Sequence, residues 1–106
     1  NLRTLNRLAE IFKKYSKYQI VIEGHALSLN WANPEEYRKE QEEILVPLSK
    51  QRADSIKEGL VKLGIEASRI ETVGKGGAEP VVPHGDSANN WKNRRVEFYL
   101  ERKPQS

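Results

Sequence analysis

The stretch VIEGHALSLNW (21–31) begins as a strand and does not continue as one. Val21 and Ile22 favour extended chain, Gly24 interrupts the run, and His25 stands where the chain has to turn. With YQI (18–20) in front, the strand spans 18–24, placing Ile20 and Ile22 on one face and Val21 on the other. In open α/β sheets the C-terminal ends of strands are where ligands bind. Here that position is followed by Ala26 and Leu27, which offer neither charge nor a side-chain hydrogen bond. The stretch is therefore either a binding site or the shape of one without its chemistry.

Working outward, residues 2–16 carry Leu2, Leu5, Leu8, Phe12 and Tyr15 at helical spacing, with Lys and Arg between them. Downstream, ANPEEYRKEQEEIL (32–45) has a strong helix start: Asn33 can cap, Pro34 suits the first helical position, and Glu36 has capping-box spacing. Tyr37, Ile44 and Leu45 form a narrow apolar stripe on this helix near 34–45, and Pro47 is expected to end it. A further helix is expected from Ser49 to Leu63, with Ala53, Ile56, Leu60 and Leu63 inward and Gly64 as its stop. A short strand near 69–73 leads to a glycine turn and a polar, Pro-rich loop, EPVVPHGDSANN (79–90). RRVEFYLER (94–102) then alternates, with Val96, Phe98 and Leu100 inward and Arg95, Glu97, Tyr99 and Glu101 outward. The sum is an α/β two-layer sandwich, a mixed sheet with helices packed on one face.

The chain has 106 residues, the size of one domain, and 37% hydrophobic against 31% charged residues. No apolar run approaches the ~20 residues of a membrane-spanning helix. Cysteine is absent, which excludes disulfides and thiolate metal sites. The net charge of +3 comes from interleaved acidic and basic residues, as in RKEQEE (38–43), not from a basic block. The strongest basic cluster, WKNRR (91–95), is short and followed by Glu97, so nucleic acid is not expected as a partner.

GKGGAEP (74–80) lacks the spacing of a phosphate-binding loop and reads as a turn. His25 shares a strand face with Glu23, but two ligands do not make a specific metal site, and His25 is expected to bond backbone at the strand's end. His84 is expected to be exposed in its loop. Neither histidine has a Ser or Cys partner in a nucleophile motif, so no enzyme, metal or cofactor is expected. Trp31 and Trp91 sit in loops, as caps on a core edge or as ligand-stacking surfaces. With Ser49 as N-cap, Arg52 would occupy a position where the helix's positive end disfavours a cation. Such a residue either pairs with a neighbouring Glu or joins the free amides of the helix start in an anion-binding corner suited to a carboxylate.

Four stretches in order, IVIEGH (20–25), LSKQRADSIKEGLVKLGI (48–65), RIETVGKGGAEPVVP (69–83) and NRRVEFYL (93–100), resemble the OmpA-like peptidoglycan-binding family. The family includes porin tails, peptidoglycan-associated lipoproteins and flagellar stators. The resemblance implies an OmpA C-terminal-like fold and a periplasmic, non-enzymatic module that grips the stem peptide of the cell wall. The family reads GHTD after the strand, and that Asp holds the ammonium of the stem peptide's diamino acid. Ala26 and Leu27 stand at the Thr and Asp positions here. Arg52 matches the family's carboxylate-binding Arg, while Leu45 stands where an Asn is usual, and Asn93 and Arg94 match the motif beside the groove. The resemblance also makes the helix near 34–45 an insertion. It places a strand before the first helix, so residues 1–106 are expected to be one domain cut from a longer protein, tethered to the outer membrane through its missing part.

Two readings follow. One is a cell-wall module binding peptidoglycan weakly or in a modified mode through Arg52, Asn93 and Arg94, with Leu27 and Ala26 in the site. The other is a scaffold that has lost peptidoglycan and contacts another envelope protein through Trp31 and the helix near 34–45.

Overall fold

The computed structural model describes residues 2–102. Helix α1 (Leu2–Lys14) leads into strand β1 (Tyr18–His25), followed by α2 (Pro34–Glu40), a π-helical segment (Gln41–Leu45) and α3 (Val46–Lys62). Strands β2 (Ile70–Gly76) and β3 (Arg95–Arg102) complete the order. The sheet runs β2-β1-β3, with β1 parallel to β2 and antiparallel to β3, so it is mixed. Helices α1 and α3 cover one of its faces, the two-layer arrangement read from the sequence.

Ile20 and Ile22 have no exposed surface and pack with Phe12, Ala53, Leu60, Ile65 and Ile70, with Leu5, Leu8, Ile56, Leu63, Val96 and Phe98 around them. Burying one such aliphatic side chain contributes roughly 1.5–3 kcal/mol, so this single cluster is the main source of cohesion. The expected stripes are trimmed at their ends. Leu2 is 70% exposed and Tyr15 47%, so α1 docks through its middle. Leu100 lies on the inward face of β3 but remains 38% exposed, because the helical layer does not reach the end of that edge strand.

Two glycines let α3 lie directly on the sheet. A Cβ at Gly24 would stand 2.0 Å from the Ser49 carbonyl oxygen, and one at Gly74 would stand 2.6 Å from that of Val46. The first turns of α3 therefore rest on the C-terminal ends of β1 and β2. Gly64, at φ +100°, stops α3 where the sequence places the stop.

The Asn33 side chain accepts a hydrogen bond from Glu36 N (3.2 Å), the capping expected from the Asn33–Pro34–Glu36 pattern. Pro47 does not end this helix. The chain widens into the π-helical segment, Val46 N–H bonds Gln41 O, and Pro47 falls in the first turn of α3. A proline lacks the N–H of an α-helical turn and collides with the carbonyl four residues back, and a wider turn before it relieves both problems. The wide turn also shifts the apolar stripe: Tyr37 is half-buried and Leu45 buried, but Ile44 is 57% exposed.

This continuity overturns the expected start at Ser49. Ser49 is not an N-cap; it is buried in the second turn of α3, where its hydroxyl donates to Val46 O (3.0 Å) and accepts from Gly76 N (2.9 Å). Arg52 consequently lies inside a helix and has no free amides beside it.

Candidate functional site

The C-terminal ends of β1 and β2 are held by one polar network. Ala26 is buried and its N–H bonds Gly76 O (2.7 Å), which closes the turn after β1 onto β2. Glu40, 6% exposed, gathers the next residues: its carboxylate accepts from Ser28 Oγ (2.6 Å), Leu29 N (3.0 Å), Asn30 N (3.3 Å) and Asn30 Nδ2 (3.2 Å). Burial alone would raise the Glu40 pKa, but these hydrogen bonds outweigh it and hold the carboxyl below its ordinary value. The next residue, Gln41, donates to Lys75 O (2.9 Å) and accepts from Gly77 N (2.8 Å), and Tyr37, one helical turn before Glu40, donates its Oη–H to Gly77 O (3.1 Å). Burial, and next the Glu40 charge, raise the Tyr37 pKa, which keeps the phenol a donor. Glu40 and Gln41 were indistinguishable in sequence from the solvated charges around them.

The long loop 77–94 is fixed from two sides. Asn93, 1% exposed, accepts from Val81 N (2.8 Å) and Val82 N (3.1 Å) and donates to Val82 O (3.3 Å). Its amide is thereby committed to the loop, which makes it a positioning group. Trp31 stacks on His84 at 6.3 Å with ring planes 12° apart, and Tyr37 meets the same imidazole edge-on at 6.2 Å. His84 is therefore half-buried between aromatic rings, not exposed as expected. Trp31 remains 46% exposed, and Trp91 stays 57% exposed with Lys92 Nζ 5.7 Å from its ring centre.

Leu27 is half-buried on the turn after β1, and Arg94 immediately precedes Arg95, the β3 partner of His25. Arg52 follows the Gly24–Ser49 contact by one helical turn. Leu27 and Arg94 thus each lie within two residues of the His25–Arg95 pair, Arg52 lies one helical turn beyond the residue that rests on Gly24, and Ala26 and Asn93 are buried. Both arginines are exposed, and neither guanidinium has a hydrogen bond or ion pair among the described residues. The alternative of a local Arg52–Glu pair is therefore not realised. Within the WKNRR cluster Asn93 is buried and Arg95 is bonded to Glu97, while Lys92 and Arg94 are exposed.

The sequence pattern of the OmpA family matches residues 2–94. The chain belongs to this family. It is 33% identical to the probable lipoprotein YiaD of Escherichia coli over 97 residues, 92% of this chain and 40% of that protein. It is 32% identical to the peptidoglycan-binding protein ArfA of Mycobacterium tuberculosis over 96 residues, 91% of this chain and 26% of that protein. The chain thus spans less than half of these relatives. The crystal structure of the periplasmic domain of Helicobacter pylori MotB superposes with a TM-score of 0.76 at 20% identity, covering 97% of this chain and 62% of that one. At that identity the likeness speaks for the fold.

His25 departs from expectation. It is 2% exposed, and its Nε2 faces carboxylates instead of backbone: Glu23 Oε1 at 3.3 Å and Glu97 Oε2 at 3.9 Å. Glu97 also accepts from Arg95 Nε and Tyr99 Oη. The bonds from Tyr99 and then Arg95 depress the Glu97 pKa, and the bond to Glu97 pushes the Tyr99 phenol up to about 12. Spacing along β1 brings together Glu23 and His25; Glu97 joins them from the neighbouring strand, through a pairing that local spacing does not show.

Proposed function

We propose that this chain is a periplasmic, non-catalytic cell-wall module that binds the stem peptide of peptidoglycan weakly, at the sheet end carrying Leu27, Arg52 and Arg94. The observation that carries this reading is the pair of uncommitted, exposed guanidiniums at that end. Guanidinium is the side chain best matched to a carboxylate, which it can hold through two parallel hydrogen bonds. The peptidoglycan binding for which the relative ArfA is named points the same way.

The weakness follows from the other half of the ligand. A zwitterionic stem residue brings an ammonium, and Leu27 cannot replace its hydration. The nearby Glu40 carboxylate is already engaged by Ser28, Leu29 and Asn30. Leaving a charged group unpaired costs roughly 1–3 kcal/mol or more, enough to lower affinity tenfold or beyond. In this reading Ala26 and Asn93 serve the site indirectly, by fixing the backbone beneath it.

A second reading has a specific observation behind it. Leu29 is 77% exposed beside Trp31 at 46%, an apolar projection suited to another envelope protein rather than to a polar glycopeptide. Co-sedimentation with purified sacculi separates the two. The first reading expects a small bound fraction that Arg52→Ala abolishes and Leu29→Ser leaves unchanged. No bound fraction at any protein concentration favours the second.

A further inference from the structure

We infer that Glu23, His25 and Glu97 form a weak binding site for a divalent first-row transition ion, with zinc the representative probe. The site lies on the opposite side of the sheet from α1 and α3. Side chains alternate along β1, and Ile20, Ile22 and the Gly24 position face the helices, so Glu23 and His25 face away from them. Glu97 is the direct antiparallel partner of Glu23, on the same face.

The three potential donor atoms lie within 4.8 Å of one another, close enough to share one ion. One imidazole and two carboxylates, with no thiolate, make a borderline-hard ligand set that favours zinc-like ions over calcium or magnesium. Two like charges directly opposite in a sheet are destabilising, yet Glu23 and Glu97 occupy such a pair. His25 is buried, its Nε2 addresses these carboxylates, and its Nδ1 has no hydrogen-bond partner among the described residues. Without an ion the ring donates its Nε2–H to Glu23; a cation at Nε2 would move that proton to Nδ1 and meet the Nε2 lone pair instead, leaving the Nδ1–H without an acceptor among the described residues.

Arg95 and Tyr99 define the site's strength. A carboxylate has about four lone-pair positions, so Glu97 can keep these two donors and still ligate an ion; ligating carboxylates are commonly hydrogen-bonded in this way. The Arg95 guanidinium nevertheless offsets one of the two carboxylate charges, and Nδ1 lacks an acceptor to orient the ring. Both features weaken binding relative to a dedicated zinc site. The residues are separate from Leu27, Arg52 and Arg94, so this inference stands whether or not the chain binds peptidoglycan.

Calorimetric titration of zinc chloride into the untagged chain tests it. One saturable ion per chain is expected, accompanied by a rise in melting temperature, with magnesium chloride giving neither. Glu23→Gln and Glu97→Gln, both at partly exposed positions, should each weaken zinc at least tenfold, and His84→Ala should leave it unchanged. Should a variant fail to fold, long-range nitrogen–proton spectra of the natural chain decide: zinc should shift the His25 ring nitrogens and not those of His84. Absence of saturable binding overturns the inference. So does binding that survives both Gln substitutions, or that is lost in His84→Ala.

Discussion

Replacing Glu40 by Gln should loosen the loop after β1 without altering its shape. The carboxylate receives four donors, two on each oxygen. An amide of the same size keeps one acceptor oxygen and turns an N–H₂ toward the donors of the other. Oriented to keep Ser28 and Asn30 N, it loses the bonds from Leu29 N and Asn30 Nδ2. A hydrogen bond to a charged group contributes roughly 1.5–3 kcal/mol net. Asn30 is exposed and its amide can turn to water, which brings the expected loss to about 2–3 kcal/mol. For a domain of this length about 4 °C is lost per kcal/mol, so the melting temperature should fall by about 8–12 °C. Thermal unfolding followed by circular dichroism reads the magnitude. Hydrogen exchange should show the Leu29 and Asn30 amides losing protection before the core strands. A melting temperature within about 2 °C of the natural chain, with both amides still protected, would refute the view that this carboxylate organises the loop.

Other consequences follow from the same contacts. Gly24→Ala places a methyl against the Ser49 carbonyl and should destabilise by about 3 kcal/mol or more, seen as a lower denaturant midpoint. Asn93→Ala strips the Val81 and Val82 amides of their acceptor, at about 1–3 kcal/mol each. It should raise proteolytic nicking within residues 78–90 while the β1 and β2 amides stay protected. Glu40, Glu97 and Asp54 all have folded-state pKa values below their ordinary ones, the last through its bonds from Lys50 and then Thr72. Depressed carboxylates stabilise the fold above their unfolded values and lose that contribution as pH falls through the folded ones. Stability should therefore be flat between about pH 5 and 8 and decline below the Glu ordinary value of 4.5. Glu40→Gln should shallow that acid slope.

Where one short-range physical rule governs an element, the sequence was readable. Alternation announced β1 through Ile20 and Ile22, Asn33–Pro34–Glu36 announced α2, and Gly64 announced the end of α3. Pro47 misled, because its ordinary meaning as a helix stop assumes α-helical geometry on its N-terminal side, and a π-helical turn removes that assumption. The error carried forward: with no stop at Pro47 there was no new start at Ser49, and the helix-terminus argument for Arg52 lost its ground. The importance of Arg52 now rests on its exposure, its lack of a partner and the family match. Glu40, His84 and Glu97 were illegible for a different reason. Each acquires its role from a residue 10 or more positions away, such as Asn30 for Glu40 and Glu23 for Glu97, which only the folded chain brings near.

The most direct test of the central claim is a calorimetric titration of a soluble stem-peptide fragment carrying the diamino acid. The natural chain, Arg52→Ala and Leu27→Asp are compared at one ionic strength. Weak binding is expected for the natural chain and none for Arg52→Ala. Leu27→Asp adds the missing counter-charge, and at roughly 1.5–3 kcal/mol it should tighten binding about tenfold or more. Tight binding by the natural chain that survives Arg52→Ala and gains nothing from Leu27→Asp would contradict the account, because the ligand would then be held elsewhere.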